Sequence, residues 1–226
     1  MQKRHFEMET EGFYGAYWKC KTDSDCAMIA MIGDDSEDYL ARTSVKWLHK
    51  LGVNVMTMSP AKKDYGHHNY PLERIEKAIS WLKTHGNRKI GIVGASTTGT
   101  LALTAASYFE DLTLTIGLTP SDFIWQGFMQ GKKDGCKEWP SEGESLFSYK
   151  GEPLPYMPFC YKHPDYWHVI EKETKRTGDM INSRKLFDDS ETAHPITEEE
   201  MIKIEKIHGT LLLIGAEDDV LRDTAK

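Results

Sequence analysis

Ser96 is the residue of this chain best placed to act as a nucleophile. It ends the segment Lys89–Ser96, in which an apolar, β-branched run leads directly into a helix-like segment. This pattern indicates a nucleophile elbow, a strand–turn–helix whose strained turn exposes a serine to the substrate carbonyl. Gly94 provides the small residue that such a turn needs, whereas Thr98 stands where a second glycine is usual and Gly99 follows it. An ordinary serine in a β–α turn is the alternative interpretation.

A carboxylate that could assist this serine follows the last apolar run of the chain. Thr210–Ile214 predicts a strand, and Asp218 and Asp219 lie in the turn after it. Ligands of open α/β sheets bind at the carboxyl ends of the strands, and the chain order Ser…Asp…His is that of a hydrolase triad whose acid orients the imidazole. We predict Asp218 as this acid. Asp122, after the predicted strand Leu112–Leu118, is the alternative, and a solvated acidic turn is a third interpretation.

The histidine of such a triad is harder to identify. All nine histidines precede Asp218 in the sequence. His67 and His68, in a polar loop after the predicted strand Val53–Met58, are candidates to line the pocket, although such pairs more often face solvent. Either the sequence lacks the last strand, the histidine loop and the final helix, or the chain has lost its base and is not a hydrolase. The first explanation is favoured, because the apolar run Thr210–Ile214 would otherwise form an uncovered sheet edge.

The elements that must position these residues alternate along the chain. After a lead-in hairpin, strands are predicted over 27–33, 53–58, 89–94 and 112–118, and helices lie between them at 36–51, 70–86 and 97–109. This alternation predicts a parallel sheet covered by helices on both faces. In the first helix we expect Ser36 to be the N-cap and a buried stripe of large residues, namely Leu40, Trp47, Leu48 and Leu51.

Residues 122–194 have a different texture, rich in glycine, proline and aromatic residues and without a sustained period. The aromatic residues, Trp125 among them, argue against disorder, and a long irregular segment within a compact domain is typical of a functional lid. We predict one domain over 1–226, with a core of 1–121 and 195–226 and a cap-like insertion at about 122–194. Trp125 is expected to line the pocket. A satellite core under a long loop is the alternative.

Composition excludes several classes of protein. The formal charge of −7 argues against nucleic-acid binding, which requires Lys and Arg to neutralise phosphates. No apolar run approaches the roughly 20 residues that span a bilayer, and residues 1–7 lack the apolar segment of a signal peptide. The four cysteines have no metal-binding spacing, so we expect reduced thiols, no metal, no cofactor and a cytoplasmic location.

Four segments together resemble one family, the carboxy-terminal catalytic domain of acyl-CoA thioesterases and bile acid-CoA:amino acid N-acyltransferases, within the α/β-hydrolase superfamily. These segments are residues 27–60, 89–109, 148–155 and 204–219. The run SYKGEPLP at 148–155 is the most specific of them, because elbows and acidic turns occur throughout α/β-hydrolases.

The resemblance implies an α/β-hydrolase fold, with Ser96 as the nucleophile and Asp218 as the triad acid. Ser96 would then form an acyl intermediate with a small-molecule thioester or ester, acyl-CoA being one candidate, and water or an amine would release the acyl group. Backbone amides of Thr97 and of Asp34 or Asp35 would hold the oxyanion.

The sequence also departs from this family. Thr97 replaces a basic residue, Thr98 replaces a glycine, and the loop 33–36 is acidic where the family is glycine-rich. The family's histidine and its amino-terminal β-sandwich have no counterpart. A generic carboxylesterase or dienelactone-hydrolase-like enzyme, and a non-catalytic protein of this fold, therefore remain alternative interpretations.

Overall fold

The structure, a computed structural model, describes residues 3–33, 35–59, 68–127, 144–162 and 165–223. Its strands are β1 (Lys3–Phe6), β2 (Gly15–Trp18), β3 (Cys26–Met31), β4 (Asn54–Met58), β5 (Tyr70–Pro71), β6 (Lys89–Ala95), β7 (Leu112–Leu118), β8 (Phe147–Tyr149), β9 (Glu152–Pro153) and β10 (Thr210–Ile214). Its α-helices are α1 (Tyr39–Lys50), α2 (Glu73–Thr84), α3 (Thr97–Tyr108), α4 (Asp165–Thr177) and α5 (Arg184–Ala193). A short 3₁₀ turn at Ile204–Lys206 precedes β10.

The main sheet has seven strands in the order β1-β2-β4-β3-β6-β7-β10. The lead-in hairpin β1–β2 joins the sheet antiparallel to β4. The strands from β4 to β10 pair in parallel. The prediction of a mostly parallel sheet is therefore confirmed, and the carboxyl ends of β3, β6, β7 and β10 share one edge.

Helices cover both faces of this sheet, as the alternation predicts. On one face, Val45 and Leu48 of α1 pack with Val55 and other apolar strand residues. On the opposite face, α2 and α3 bury Ile79 and Leu101 in the larger core cluster. Burying an aliphatic side chain of this size contributes about 1.5–3 kcal/mol. The two clusters fix the helices, and therefore the turns between strands and helices, against the sheet.

The start and the buried face of α1 differ from the prediction. The N-cap is Asp38, whose carboxylate accepts from the Ala41 N–H at 2.8 Å, and not Ser36. The buried residues are Ala41, Ser44, Val45 and Leu48, so that Leu48 alone of the expected stripe is buried. The four buried positions have helical spacing and form one face, whereas Leu40, Trp47 and Leu51 lie on the neighbouring face and are exposed.

The insertion contains regular structure that its composition did not predict. β8 pairs with β5 and β9 in a small three-stranded sheet, and α4 and α5 follow. Both helices have few buried apolar side chains, Tyr166 and Ile170 in α4 and Leu186 and Phe187 in α5. So few buried apolar positions in a charged sequence do not produce a sustained apolar periodicity. The sequence therefore does not predict these two helices.

The SYKGEPLP segment forms the hairpin β8–β9. Lys150 and Gly151 have φ of 54° and 80°, as in the tight turns that join such strands. The ring of Tyr149 lies 4.9 Å from that of Tyr108, at the end of α3. The Lys150 N–H donates to the Glu73 carboxylate at 2.5 Å. This segment therefore ties the insertion to α2 and α3.

No helix among the described residues is both long enough and apolar enough to cross a membrane. Cys20, Cys26 and Cys160 are free thiols, and Cys136 lies outside the described residues.

Candidate active site

The turn between β6 and α3 presents Ser96 at the carboxyl edge of the sheet. Ser96 has φ 56° and ψ −123°, a backbone conformation that side-chain-bearing residues rarely adopt. Its N–H donates to the Leu118 carbonyl at the end of β7 at 2.8 Å, and its carbonyl accepts from the Thr100 N–H at 3.1 Å. These two bonds hold the strained turn from both sides. This geometry is that of a nucleophile elbow.

Gly94 is required by the close approach of β6 and α3. A Cβ atom on residue 94 would lie 1.9 Å from the Thr98 carbonyl oxygen and 2.8 Å from the Gly99 nitrogen, both of them backbone atoms. Any side chain would force the first turn of α3 away from the strand. The glycine two residues before the serine therefore permits the sharp turn.

Thr98, which stands where a glycine is usual, connects the elbow to the neighbouring strand. Its buried hydroxyl accepts from the Ala95 N–H at 3.0 Å and lies within bonding distance of the Met31 carbonyl at the end of β3. The hydroxyl is therefore bonded both within the elbow and to β3, and a threonine is accommodated at this position.

The candidate oxyanion donors differ in how they are placed. Thr97 is the first residue of α3, and no acceptor for its N–H is found among the described residues. A helix amino end also favours negative charge. The Asp35 N–H instead donates to the Asp38 carboxylate at 3.3 Å, within the turn that begins α1. Asp34 lies outside the described residues.

A cavity of about 380 Å³ opens beside Ser96. Its polar lining includes Ser96, Thr97, Ser183 and Arg222. Side chains of the insertion form the apolar remainder, among them Trp125, Phe159, Tyr166, Ile170 and Phe187. Edge-to-face ring contacts, such as that of Trp125 with Phe187 at 5.5 Å, hold this wall together. The cavity can therefore take an apolar group of moderate size next to the serine hydroxyl.

Arg222 is a cavity residue that the sequence analysis missed. Its Nη2 lies 3.4 Å from the Ser96 Oγ and donates to the Thr119 carbonyl at 2.7 Å, while its guanidinium lies 4.7 Å from the centre of the Trp125 ring. The side chain is 6% exposed. Burial lowers its pKa to about 10, and the charge of Asp219 acts in the opposite direction. An arginine three residues beyond the acidic turn was the only sequence signal for it.

The candidate acids lie near the correct edge but outside the cavity wall. Asp218 is exposed in the turn after β10, whose carboxyl end shares an edge with Ser96. Asp219 is half-buried, and its carboxylate accepts from the Leu221 N–H at 2.8 Å. The side chain of Asp122 is exposed. The structure therefore brings Asp218 to the predicted edge without placing its carboxylate beside Ser96.

No histidine among the described residues lines this cavity. The Nδ1 of His68 lies 2.9 Å from the Glu144 carboxylate, beside the small sheet of the insertion, and His67 lies outside the described residues. In the same parts of the chain, no group of three His, Cys, Asp or Glu side chains could hold a metal ion.

Residues 70–226 match the family model described as BAAT / acyl-CoA thioester hydrolase C terminal. The matched range includes the elbow, the SYKGEPLP hairpin and the turn after β10. Comparison with curated proteins gave no match.

Among solved structures, the chain is similar to several esterases. Est1E from Butyrivibrio proteoclasticus shares 19% identity over 52% of this chain and 50% of that one, with a TM-score of 0.41. The Pyrococcus furiosus esterase Pf2001 shares 19% over 48% and 45%, with a TM-score of 0.38. A cold-adapted esterase from an Arctic intertidal metagenomic library shares 15% over 51% and 59%, with a TM-score of 0.43. The chain spans about half the length of these structures.

Proposed function

Because the chain belongs to the BAAT / acyl-CoA thioester hydrolase C-terminal family, we propose that it is a serine hydrolase that cleaves an acyl thioester or ester through an acyl-Ser96 intermediate. The family and the sheet topology together confirm the predicted α/β-hydrolase fold. The observation that carries the proposal is the strained Ser96 turn opening onto a largely apolar cavity. An ordinary β–α turn needs neither the strain nor the cavity.

The proposed reaction has two steps. The Ser96 Oγ attacks the acyl carbonyl and loses its proton, and the oxyanion that forms is stabilised by the Thr97 N–H. Collapse of this intermediate expels the thiol or alcohol, which takes up a proton, and leaves an ester on Ser96. Water then attacks this ester and releases a carboxylic acid. The aromatic wall of the cavity would hold the acyl chain during both steps.

Asp218 stays the proposed triad acid, with Asp122 as the alternative. The support for Asp218 is that it follows β10, which pairs in parallel with β7, so that its turn belongs to the same edge of the sheet as Ser96, where an imidazole would need a carboxylate partner. Since no imidazole among the described residues lies beside Ser96, no general base is assigned from them.

Labelling with a fluorophosphonate tests whether Ser96 is a nucleophile. We expect one adduct per chain, on Ser96, and its loss in Ser96→Ala. Ser80→Ala, at an exposed position on α2, is the matched control and should label normally. A folded chain that takes up no probe would contradict the proposal and favour a binding protein of this fold.

The substrate class is tested by comparing octanoyl-CoA with p-nitrophenyl octanoate, which carry the same acyl group. A thioesterase should show the higher kcat/KM with the thioester, and Ser96→Ala should abolish both reactions. Faster cleavage of the ester would support a generic carboxylesterase instead.

A further inference from the structure

The cavity beside Ser96 contains a buried cation whose hydrogen-bonding capacity the described residues leave partly unused. The Nε of Arg222 is buried without a hydrogen-bond partner, and the same holds for the Nε1 of Trp125, which lines the same cavity. Buried donors without acceptors are uncommon in folded proteins, and each one calls for an explanation. Two of them in one cavity suggest that a ligand supplies the acceptor.

The surroundings of Arg222 do not provide an ordinary structural role for its charge. Among the described residues, the charge of Asp219 compensates that of Arg222 in part, but no carboxylate forms an ion pair with the guanidinium. The Thr119 carbonyl and the Trp125 ring hold the side chain in place but do not neutralise it. A buried charge is costly unless an opposite charge compensates it. An anionic ligand would provide that compensation.

We propose that this cavity binds carboxylic acids that have an apolar body, with the carboxylate on Arg222 and the body against the aromatic wall. The functional meaning of the site rests on the proposed function, because such an acid is what hydrolysis of an acyl-Ser96 ester releases. The cavity would then retain its own product, and the enzyme would be inhibited by it.

The position of the guanidinium favours a carboxylate over other anions. Its Nη2 lies 3.4 Å from the Ser96 Oγ, so that an oxygen bound there occupies the region of the reacting carbonyl. Nε and Nη2 lie on one edge of the planar group, which matches the two oxygens of a carboxylate. A phosphate carries more charge and needs more donors than one arginine in an otherwise apolar cavity provides.

Ligand binding is tested on the whole chain with octanoate and its neutral analogue octanamide. The two share the apolar body and differ in charge. Saturable changes in tryptophan fluorescence, to which Trp125 and Trp167 in the cavity wall contribute, or calorimetry would give the affinities. We expect octanoate to bind about tenfold or more tightly than octanamide, because hydrogen bonds to a charged group contribute that much.

Two variants test whether octanoate binding depends on Arg222 itself or on the overall positive charge of the protein. Arg222→Met should weaken octanoate binding about tenfold or more and leave octanamide binding unchanged. Arg88→Met is the matched control, because Arg88 is exposed just before β6 at the opposite end of that strand from Ser96, and it should bind both ligands normally. Circular dichroism verifies that each variant is folded. If Arg222→Met does not fold, Arg222→Lys is used, and it should weaken octanoate binding because it loses the planar fork.

The outcomes distinguish this proposal from the proposed function. Equal affinities of the wild-type chain for octanoate and octanamide, or an unchanged affinity of a folded Arg222→Met chain for octanoate, would overturn it. Ser96→Ala cannot form an acyl intermediate and should still bind octanoate. If the fluorophosphonate does not label the chain, but octanoate binds more tightly than octanamide and Arg222→Met removes this difference, the carboxylate site is supported and the proposed hydrolase function is rejected.

Discussion

The backbones of Gly94 and Thr98 approach so closely that a Cβ atom on residue 94 would lie 1.9 Å from the Thr98 carbonyl oxygen. This contact joins the end of β6 to the first turn of α3. It thereby fixes the direction in which Ser96 leaves the strand, and it makes the elbow sensitive to a single methyl group.

Gly94→Ala should destabilise the protein by about 3 kcal/mol or more, because the clash is with backbone that cannot rotate away. Urea unfolding measures the change. Gly91→Ala is the matched control on the same strand, where a Cβ would meet the flexible end of the Met28 side chain at 3.0 Å. We expect it to cost about 1 kcal/mol. Equal losses in the free energy of unfolding for the two substitutions would show that β6 and α3 do not approach closely enough to require a glycine at residue 94.

Thr98→Val should cost about 1–3 kcal/mol, because it removes the hydroxyl that is bonded to both the half-buried Ala95 N–H and the buried Met31 carbonyl. The shape of the side chain is nearly preserved, so the free energy of unfolding reports the hydrogen bonds. Thr98→Ser should restore most of the loss. Thr43→Val, at a half-buried position on α1, removes a solvent-exposed bond to a backbone carbonyl and should change stability by less than about 0.5 kcal/mol. A similar loss at residue 43 would contradict this assignment.

The central strands and the elbow could be predicted from the sequence because their signals are local. The runs predicted at 89–94 and 112–118 correspond to β6 (Lys89–Ala95) and β7 (Leu112–Leu118). β6 is buried along most of its length, and such a strand is a continuous apolar run whatever its partners are. The elbow at Ser96 could be predicted because its signals, Gly94 before it and a helix-like segment after it, adjoin it in the sequence.

Features that depend on distant contacts could not be predicted in this way. The face of α1 that packs on the sheet includes Ala41 and leaves Leu40 exposed, and this rotation of the helix depends on contacts with β3 and β4 that are distant in sequence. Arg222 lies 126 positions from Ser96, and its charge was indistinguishable from a surface arginine. Its environment exists only once Ser96, Trp125 and Phe187, which are far apart in the sequence, have come together around one cavity.

Ser96→Gly should stabilise the protein by about 1 kcal/mol and remove reactivity towards the fluorophosphonate. Glycine relieves the strain of φ 56°, which costs of order 1–3 kcal/mol, although its flexibility in the unfolded chain offsets part of the gain. Ser96→Ala is the control, since it also lacks the hydroxyl but keeps the strain. The difference between Ser96→Gly and Ser96→Ala in the free energy of unfolding, measured in urea, therefore reports the backbone strain. If Ser96→Gly is no more stable than Ser96→Ala, the turn is not strained.

Octanoate binding should be constant between about pH 6 and 9 and should weaken as the pH rises through about 10. Burial lowers the pKa of Arg222 to about 10, so the guanidinium is charged below that pH and loses its proton above it. Octanoate stays ionised throughout, since aliphatic carboxyls titrate near about 4–5. Each further pH unit should then cost about a factor of ten in affinity.

Other groups near the cavity titrate or carry charge, and the control must separate them from Arg222. The charge of Asp219 acts on Arg222 and raises its pKa, and the Tyr166 side chain lines the same cavity. Octanamide carries no charge, so its affinity over the same range reports every change in the cavity other than the loss of attraction between opposite charges, including any loosening of the fold. An octanoate affinity that stays level to pH 11, or that falls in parallel with that of octanamide, would show that the charge of Arg222 does not hold the ligand.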